Sequence, residues 1–300
     1  MVFIRDGIFC RKTCCRAQRL ILMWQEPGTT LKMTDNAKSC EIHEYAEALY
    51  STDSFQDAFS LLEQQALNCG FHGVLYTYIP KLLIESNFAV EPVYELSENY
   101  APRYLEHYAE ASFYRHDPLI EAVMDGVKDP ISWWGNVCGE YMDKNHQSRE
   151  VISVSEDYGI SNGVTVPLMS GELGLAGASF ITDESRSFDT ILSSELDRLA
   201  LSTKLFHGLV SMNAGHTGRF ARTLLNQLNT TEKKFMIELA RGKVPCQIAA
   251  DMKKTEGYLE QAMLKIRRKL SGVGKHEPPK INRNQLLYYA GLLNILEHAS

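Results

Sequence analysis

The chain has 300 residues, enough for two domains with cores of their own, and its hydrophobic (44%) and charged (23%) shares are those of a globular protein. No apolar run approaches the ~18 residues that span a bilayer, and seven scattered cysteines argue against a disulfide framework. The net charge of −6 is uneven: residues 221–300 carry 14 Lys and Arg against 7 Asp and Glu, which leaves −13 for residues 1–220. A basic tail behind an acidic front is typical of a protein whose tail meets nucleic acid, although a solvated basic face has the same composition.

Residues 1–39 are predicted to be an N-terminal extension outside the two domains. The apolar patch Leu20–Trp24 is shorter than a secretory apolar region of ~7–15 residues and no small-residue cleavage site follows, which favours a cytoplasmic protein. Three cysteines between positions 10 and 15 lack a second Cys or His pair at zinc spacing, so no metal is expected there. The sequence leaves open whether residues 1–32 are flexible or belong to the mature product.

The front of the chain alternates helical and strand patterns. Apolar residues near a 3.6-residue period predict a helix from Ile42 to Cys69, which Gly70–Gly73 ends. Val74–Ile79 has the β-branched and aromatic content of a strand, and a second helix is predicted over Tyr100–Tyr114.

Around this second helix lies a set of aromatic residues with one carboxylate. Tyr100, Tyr104 and Tyr108 recur every four residues and therefore share one face. Asp117 is a favourable N-cap for the next helix because proline follows it, and Trp133 comes shortly afterwards. Aromatic rings supply an apolar wall, their O–H and N–H groups give direction, and one acceptor holds a polar head group, so this set predicts a binding pocket.

Further along, two short segments, Gly163–Leu168 and Leu175–Ile181, predict an antiparallel pair of strands joined by a tight connection. Phe188–Leu209 predicts a long amphipathic helix, and the polar, glycine-bearing stretch Ser211–Gly218 is the best linker candidate. The front is therefore predicted to be an α/β domain, an α-β-α sandwich with helices around an antiparallel sheet.

The tail predicts three helices in succession. The first begins at Thr230 or Thr231 and is closed by Gly242, the second has Pro245 in its first turn, and Thr255 caps a third. Two short helices, a tight turn and a longer basic helix form a helix-turn-helix, whose second helix enters the DNA major groove. A small helical dimerisation bundle is the alternative from the pattern alone. An inward stripe is expected on the third helix, at Leu259, Met263, Ile266 and Leu270.

The motifs of both halves resemble those of LuxR-type quorum-sensing regulators over about residues 42–295. The front is similar to the autoinducer-binding domain at Asn99-Tyr100, Tyr104-x3-Tyr108, Asp117-Pro118, Pro130-x-x-Trp133, Gly163-x-Thr-x-Pro167 and Gly171-Glu-Leu-Gly174. The tail is similar to the LuxR-type DNA-binding domain at Leu228, Glu232, Gly242-Lys243, Ile248-Ala249, Ile266, Lys269-Leu270 and Asn282-Arg283. The resemblance implies a ligand domain at 40–210, a linker at 211–222 and a small all-α helix-turn-helix domain at 223–300.

The resemblance implies that the ligand domain binds an N-acyl-homoserine lactone and needs no other cofactor. Asp117 is expected to accept the ligand amide N–H and Tyr100 to donate to the acyl carbonyl. Tyr108 and Trp133 are expected to line the head-group cavity.

Two positions depart from the family pattern in this pocket. Tyr104 stands where the family usually has a tryptophan that donates to the lactone carbonyl; a phenol can also donate. Gly177 stands where a ligand-bonding Ser or Thr is common, and Ser179, on the same strand face, is expected to replace it. A regulator that responds to a non-lactone molecule, or to no ligand, therefore stays open.

The resemblance also implies a homodimer on two-fold symmetric promoter DNA, with RNA polymerase as a further partner. Basic side chains are expected at phosphates. Glu260 and Leu264 stand at base-facing positions where basic or polar residues are common, so the bases read do not follow from the family. The predicted DNA-binding set is Lys243, Thr255, Glu260, Gln261, Lys265, Arg268, Lys269 and Arg283.

Other classes fit the sequence less well. His107 and His116 are near Asp117, but no nucleophile elbow, phosphate loop or metal-ligand cluster accompanies them, so an enzyme is not expected. A receiver-type response regulator shares this kind of tail, but its front needs an acidic pair and a phospho-accepting aspartate. The front of this chain has the tyrosine–aspartate–tryptophan set instead.

Overall fold

The computed structural model describes residues 33–183, 188–292 and 295. These residues fall into two units divided between His43 and Glu44. Of the first unit, the described part is the beginning of helix α1 (Met33–Tyr50). Most of the predicted N-terminal extension, with its apolar patch and three cysteines, lies outside the described residues.

A five-stranded antiparallel sheet organises the front of the second unit, with strand order β2-β1-β5-β4-β3. The predicted pair of neighbouring strands, 163–168 and 175–181, is confirmed and forms β4 and β5. The strands are β1 (Gly73–Pro80), β2 (Tyr94–Leu96), β3 (Ile131–Ser132), β4 (Asn162–Ser170) and β5 (Gly174–Thr182).

Helices cover both faces of this sheet, so the predicted α-β-α architecture is confirmed. The long helix at Phe188 is confirmed as well. The helices of this part are α2 (Phe55–Asn68), α3 (Lys81–Glu85), α4 (Pro102–Glu110), α5 (Pro118–Met124), α6 (Asn136–Met142), α7 (His146–Asp157) and α8 (Phe188–Met212).

Two predicted helices differ from the observed ones. The helix expected over 42–69 is two helices, because the Ser54 side chain accepts the N–H groups of Gln56 and Asp57 and starts α2 afresh. The helix expected over 100–114 ends at Glu110, because Ser112 adopts a left-handed conformation (φ +56°) before a single 3₁₀ turn.

Alternation along the strands divides the apolar residues between two cores. One face of β1 and β5 packs against α2 and α8 through residues such as Tyr76, Ala178 and Phe180. The opposite face presents Leu75 and Ser179, which are direct cross-strand partners, and Thr165 of β4 lies beside Ser179. This second face forms one wall of the candidate site.

The tail is helical, as predicted. Its helices are α9 (Ala214–Gly218), α10 (Arg222–Asn226), α11 (Thr230–Ala240), α12 (Pro245–Asp251), α13 (Glu256–Leu270) and α14 (Arg283–Leu292). In the stretch predicted as a linker, His216 packs edge-on against Phe55 and Phe220 is fully buried beside Tyr76.

The three successive helices predicted in the tail are present as α11, α12 and α13. Helix α11 begins at Thr230, as predicted, and its N-cap is Asn229, which exchanges hydrogen bonds with Glu232 in a capping box. Gly242 has φ +87° after α11, and the Thr255 side chain caps α13 as predicted. On α13, Leu259, Ile266 and Leu270 are buried and Met263 packs against them, so the inward stripe is confirmed.

Candidate functional site

A cavity lies between the second face of the sheet and helices α4, α5 and α7. Its volume is about 60 Å³. All six predicted ligand-binding residues line it, although they come from positions 100 to 179 of the chain. The apolar lining residues are Leu75, Leu105, Leu119, Ile120, Val123, Val151, Ile152, Leu175 and Ala176.

Asp117 is the carboxylate of this cavity and the N-cap of α5. Its Oδ1 accepts the N–H of Leu119 at 2.7 Å and that of Ile120 at 3.4 Å, and its Oδ2 accepts the Tyr108 hydroxyl at 2.6 Å. Burial raises the pKa of Asp117, while these three hydrogen bonds oppose the rise. A buried carboxylate has further lone pairs to satisfy, which makes Asp117 a strong acceptor for a ligand N–H.

Tyr100, Tyr104 and Tyr108 lie side by side at the cavity, as their spacing predicts, and all three are buried. Their hydroxyl groups differ in their hydrogen-bond partners. Tyr108 donates to Asp117, Tyr104 donates to the Val151 carbonyl at 3.3 Å, and the Tyr100 hydroxyl has no hydrogen-bond partner among the described residues. Burial raises the pKa of each phenol above its usual value, so all three stay protonated donors.

Trp133 closes one side of the cavity and starts a short chain of hydrogen bonds. Its Nε1 donates to the Thr165 Oγ1 at 2.9 Å, and Thr165 Oγ1 lies 2.8 Å from the Ser179 Oγ. The indole ring packs so closely on β4 that a Cβ at Gly163 would lie 2.6 Å from it, which explains a glycine there. Ser179 thus reaches the cavity, as expected from its strand face.

Sequence reasoning missed three polar residues of this cavity, Thr77, Tyr94 and Thr165. Tyr94 is on β2, which has only three residues and is an edge strand of the sheet. The alternation in Val93-Tyr94-Glu95-Leu96 is the signal for this strand, but it is too short to stand out from a loop.

The predicted DNA-binding residues have different surroundings. Lys243 pairs with Glu238 (2.5 Å) and Asp251 (2.7 Å), and Lys269 pairs with the buried Glu232 (2.6 Å), so both ammonium groups hold helices of the domain together. Thr255 uses its hydroxyl to cap α13.

A second group lies together on the outer face of α13. Gln261, Lys265 and Arg268 border one surface depression with Lys275 of the following loop, and Glu260 is exposed on the same helix. Arg268 is held in place because its Nε donates to the Glu277 carbonyl at 2.8 Å. Arg283, at the start of α14, borders a different depression, beside Lys243.

Within the part of the chain that the structure describes, no helix combines the length and the apolar character needed to cross a bilayer.

The family model of the autoinducer-binding domain matches residues 54–209, more than half of the chain. The chain belongs to the autoinducer-binding domain family. This confirms the resemblance to LuxR-type quorum-sensing regulators in the front half, and the matched range contains every side chain of the cavity. The autoinducer-binding domain is a regulatory ligand-binding domain, and the matched range ends before helices α11 to α13.

Solved structures show a distant similarity. SdiA from Escherichia coli is 16% identical and covers 86% of this chain and 98% of its own, with a TM-score of 0.48. SdiA in complex with octanoyl-rac-glycerol is 15% identical and covers 88% of this chain and 97% of its own, with a TM-score of 0.45. CepR2 from Burkholderia cenocepacia, an N-acylhomoserine lactone dependent LuxR family transcription factor, is 15% identical. It covers 57% of this chain and 92% of its own, with a TM-score of 0.44.

A search of curated protein sequences gave no significant match. Membership of the autoinducer-binding domain family therefore rests on the matched domain and not on these distant structures.

Proposed function

We propose that this protein is a ligand-responsive transcriptional regulator of quorum sensing. Its autoinducer-binding domain takes up an N-acyl-homoserine lactone, and its helix-turn-helix binds double-stranded promoter DNA as a homodimer. One observation carries the proposal: a single buried carboxylate, Asp117, stands among phenol donors at a cavity whose other walls are mostly apolar.

The chemistry of this cavity suits an acylated amide. The ligand N–H is a donor that Asp117 can accept, and the free Tyr100 hydroxyl can donate to the acyl carbonyl. The acyl chain then packs against the apolar side chains of α5, α7 and β1, where each buried methylene contributes about 0.8 kcal/mol. An amide N–H buried without an acceptor costs about 1–3 kcal/mol, so Asp117 selects for ligands that have one.

The test is a thermal-melt screen of the full-length chain against N-acyl-homoserine lactones of increasing chain length. Each lactone is paired with its ring-opened acyl-homoserine as a matched control. A concentration-dependent rise in melting temperature with intact lactones supports the proposal. If no lactone raises it at any chain length, the lactone assignment is wrong.

A second candidate, a regulator whose signal is not a lactone, is supported by one contact. The Tyr104 hydroxyl, at the position where the family's donor to the lactone carbonyl is expected, already donates to the Val151 carbonyl. An acylated molecule without a lactone ring needs no donor there. Including 1-octanoyl-rac-glycerol and free fatty acids in the same screen separates the two candidates, because the second predicts that these compounds stabilise the protein more than any lactone.

For DNA, the proposal assigns phosphate contacts to Lys265 and Arg268, whose side chains lie on the outer face of α13, with Gln261 and Glu260 near base edges. Lys243, Lys269 and Arg283 stay predicted phosphate contacts, although the first two are also held in ion pairs. One helix-turn-helix makes few contacts, so a dimer on two half-sites about one helical turn apart is expected. RNA polymerase stays a predicted partner.

Selection from a random DNA pool, with and without the stabilising ligand, tests this part. We expect a two-fold symmetric site and, by analytical ultracentrifugation, two chains per site. Selection of no sequence, or full binding by a single chain, contradicts it.

A further inference from the structure

The loop that joins α13 to α14, residues 271–282, is held by hydrogen bonds to its own backbone. Ser271 is buried, and its Oγ accepts the N–H groups of Lys280 at 3.1 Å and Ile281 at 3.3 Å. From α13, the Arg267 Nε donates to the Ile281 carbonyl at 2.7 Å. Two consecutive prolines in the loop restrict its backbone further. The α13–α14 loop therefore forms a defined surface beside α13.

This loop carries Lys275 to two cations of α13. Lys275 lies in a tight turn, in which the Glu277 N–H donates to the Gly274 carbonyl at 3.1 Å. The Arg268 Nε donates to the Glu277 carbonyl at 2.8 Å and so ties this turn to α13. As a result, Lys275 borders the same surface depression as Lys265 and Arg268.

The positive charge of these three side chains is not balanced by nearby carboxylates. Among the described residues none of the three forms an ion pair. Of the described residues that border the depression, only Glu232 has a carboxylate, and it is buried and paired with Lys269 at 2.6 Å. Thr231 and Gln261 add neutral hydrogen-bond donors. Because three like charges around one depression repel one another, an anion that enters it is favoured.

We propose that Lys275 contacts a backbone phosphate of DNA, which makes the α13–α14 loop a second DNA-binding element beside α13. This inference rests on the proposed function, and it adds a residue outside the predicted DNA-binding set. Lys265 and Arg268 face the same depression, so neighbouring phosphates of one strand meet all three cations. A contact to phosphate carries no sequence preference, but it fixes the orientation of α13 on the duplex.

The test measures the affinity of the full-length chain for a mixed-sequence duplex of about 30 base pairs by fluorescence anisotropy. A mixed sequence suffices because phosphate contacts do not depend on the bases. Each such contact contributes about 0.9 to the slope of log affinity against log salt. Lys275→Ala should therefore reduce the slope by about 0.9, and should lower the affinity about 8-fold at ~0.1 M salt but only about 2-fold at ~0.5 M salt.

Lys280→Ala is the matched control. It removes the same charge from the same loop, but Lys280 is exposed and does not border the depression. The backbone N–H that Lys280 donates to Ser271 is kept in this variant. We expect Lys280→Ala to have the salt slope of the wild type.

Thermal melts without DNA distinguish a phosphate contact from a structural role. Lys275→Ala should melt at or above the wild-type temperature, because it removes one of three charges that repel one another. A lysine that held the domain together would give a lower melting temperature when replaced.

Three results would overturn the inference. An unchanged slope in Lys275→Ala means that Lys275 contacts no DNA phosphate; if sodium phosphate then raises the melting temperature of the wild type alone, the depression binds free phosphate instead. Equal slope reductions in Lys275→Ala and Lys280→Ala mean that only the net charge of the loop matters. A lower melting temperature of Lys275→Ala means that the lysine is structural. In all three cases the wild type still binds the duplex, whereas a wild type that binds no duplex even at the lowest salt contradicts the DNA-binding part of the proposed function itself.

Discussion

Replacing Asp117 separates its cap from its proposed role, since the same carboxylate caps α5 and lines the cavity in which we propose that the ligand binds. In Asp117→Asn the amide oxygen can still accept the N–H of Leu119, and the amide N–H₂ can donate to the Tyr108 oxygen. The cap and the contact with Tyr108 therefore persist in altered form. What disappears is the acceptor for the ligand, because an N–H₂ group now faces the ligand N–H.

The expected magnitudes follow from these contacts. For Asp117→Asn, one unpaired ligand N–H costs about 1–3 kcal/mol, or ~5–150-fold in affinity. Asp117→Ala also loses the cap, about 1 kcal/mol, and leaves the Tyr108 hydroxyl unpaired, another ~1–3 kcal/mol. At ~2–4 °C per kcal/mol for a domain of this size, Asp117→Ala should melt roughly 4–16 °C below the wild type without ligand, and Asp117→Asn much less.

The assay combines thermal melts of the unliganded proteins with calorimetric titration of the best ligand from the screen. Ser54→Ala is the matched control because Ser54 caps α2 through the same two kinds of contact and does not line the cavity. It should lose about 1 kcal/mol of stability and keep wild-type affinity. Wild-type affinity in Asp117→Asn would refute the reasoning and leave Asp117 as a helix cap only.

Three further expectations concern the head group, the DNA face and a buried histidine. Measured by calorimetry, Tyr104→Trp should keep or raise the affinity for a lactone. Tyr104→Phe should lose ~0.5–1.5 kcal/mol of binding free energy if the phenol turns from Val151 to the ligand. Loss of binding in the tryptophan variant alone indicates a head group that is not a lactone. Lys265→Ala should weaken binding to all DNA sequences and reduce the slope of log affinity against log salt by about 0.9, and an unchanged slope rules out its phosphate contact. Burial lowers the pKa of His207 to about 4, below ~6.5 in the unfolded chain, so the unfolded state takes up the proton first. Urea titrations should therefore show stability falling by about 3 kcal/mol from pH 6.5 to pH 4, a loss that His207→Gln should largely remove.

Features that depend on residues close in sequence could be predicted from the sequence. The shared face of the three tyrosines follows from helical spacing, the Asp117 cap from an Asp-Pro pair, and the buried stripe of α13 from apolar residues at i, i+4 and i+7. Each is decided within one or two turns of the chain, where local geometry dominates.

Features that depend on contacts between distant segments were decided only by the tertiary structure. Strand register places Thr165 beside Ser179 and brings Tyr94 into the cavity, and no local pattern encodes which residues of separate strands become neighbours. The pairing of Lys269 with Glu232 has the same origin: both charges are visible in the sequence, but their distance is set by how α11 and α13 pack. The residue types at the cavity could therefore be predicted from the sequence. That the Tyr100 hydroxyl has no hydrogen-bond partner among the described residues could be known only from the positions of the neighbouring donors and acceptors.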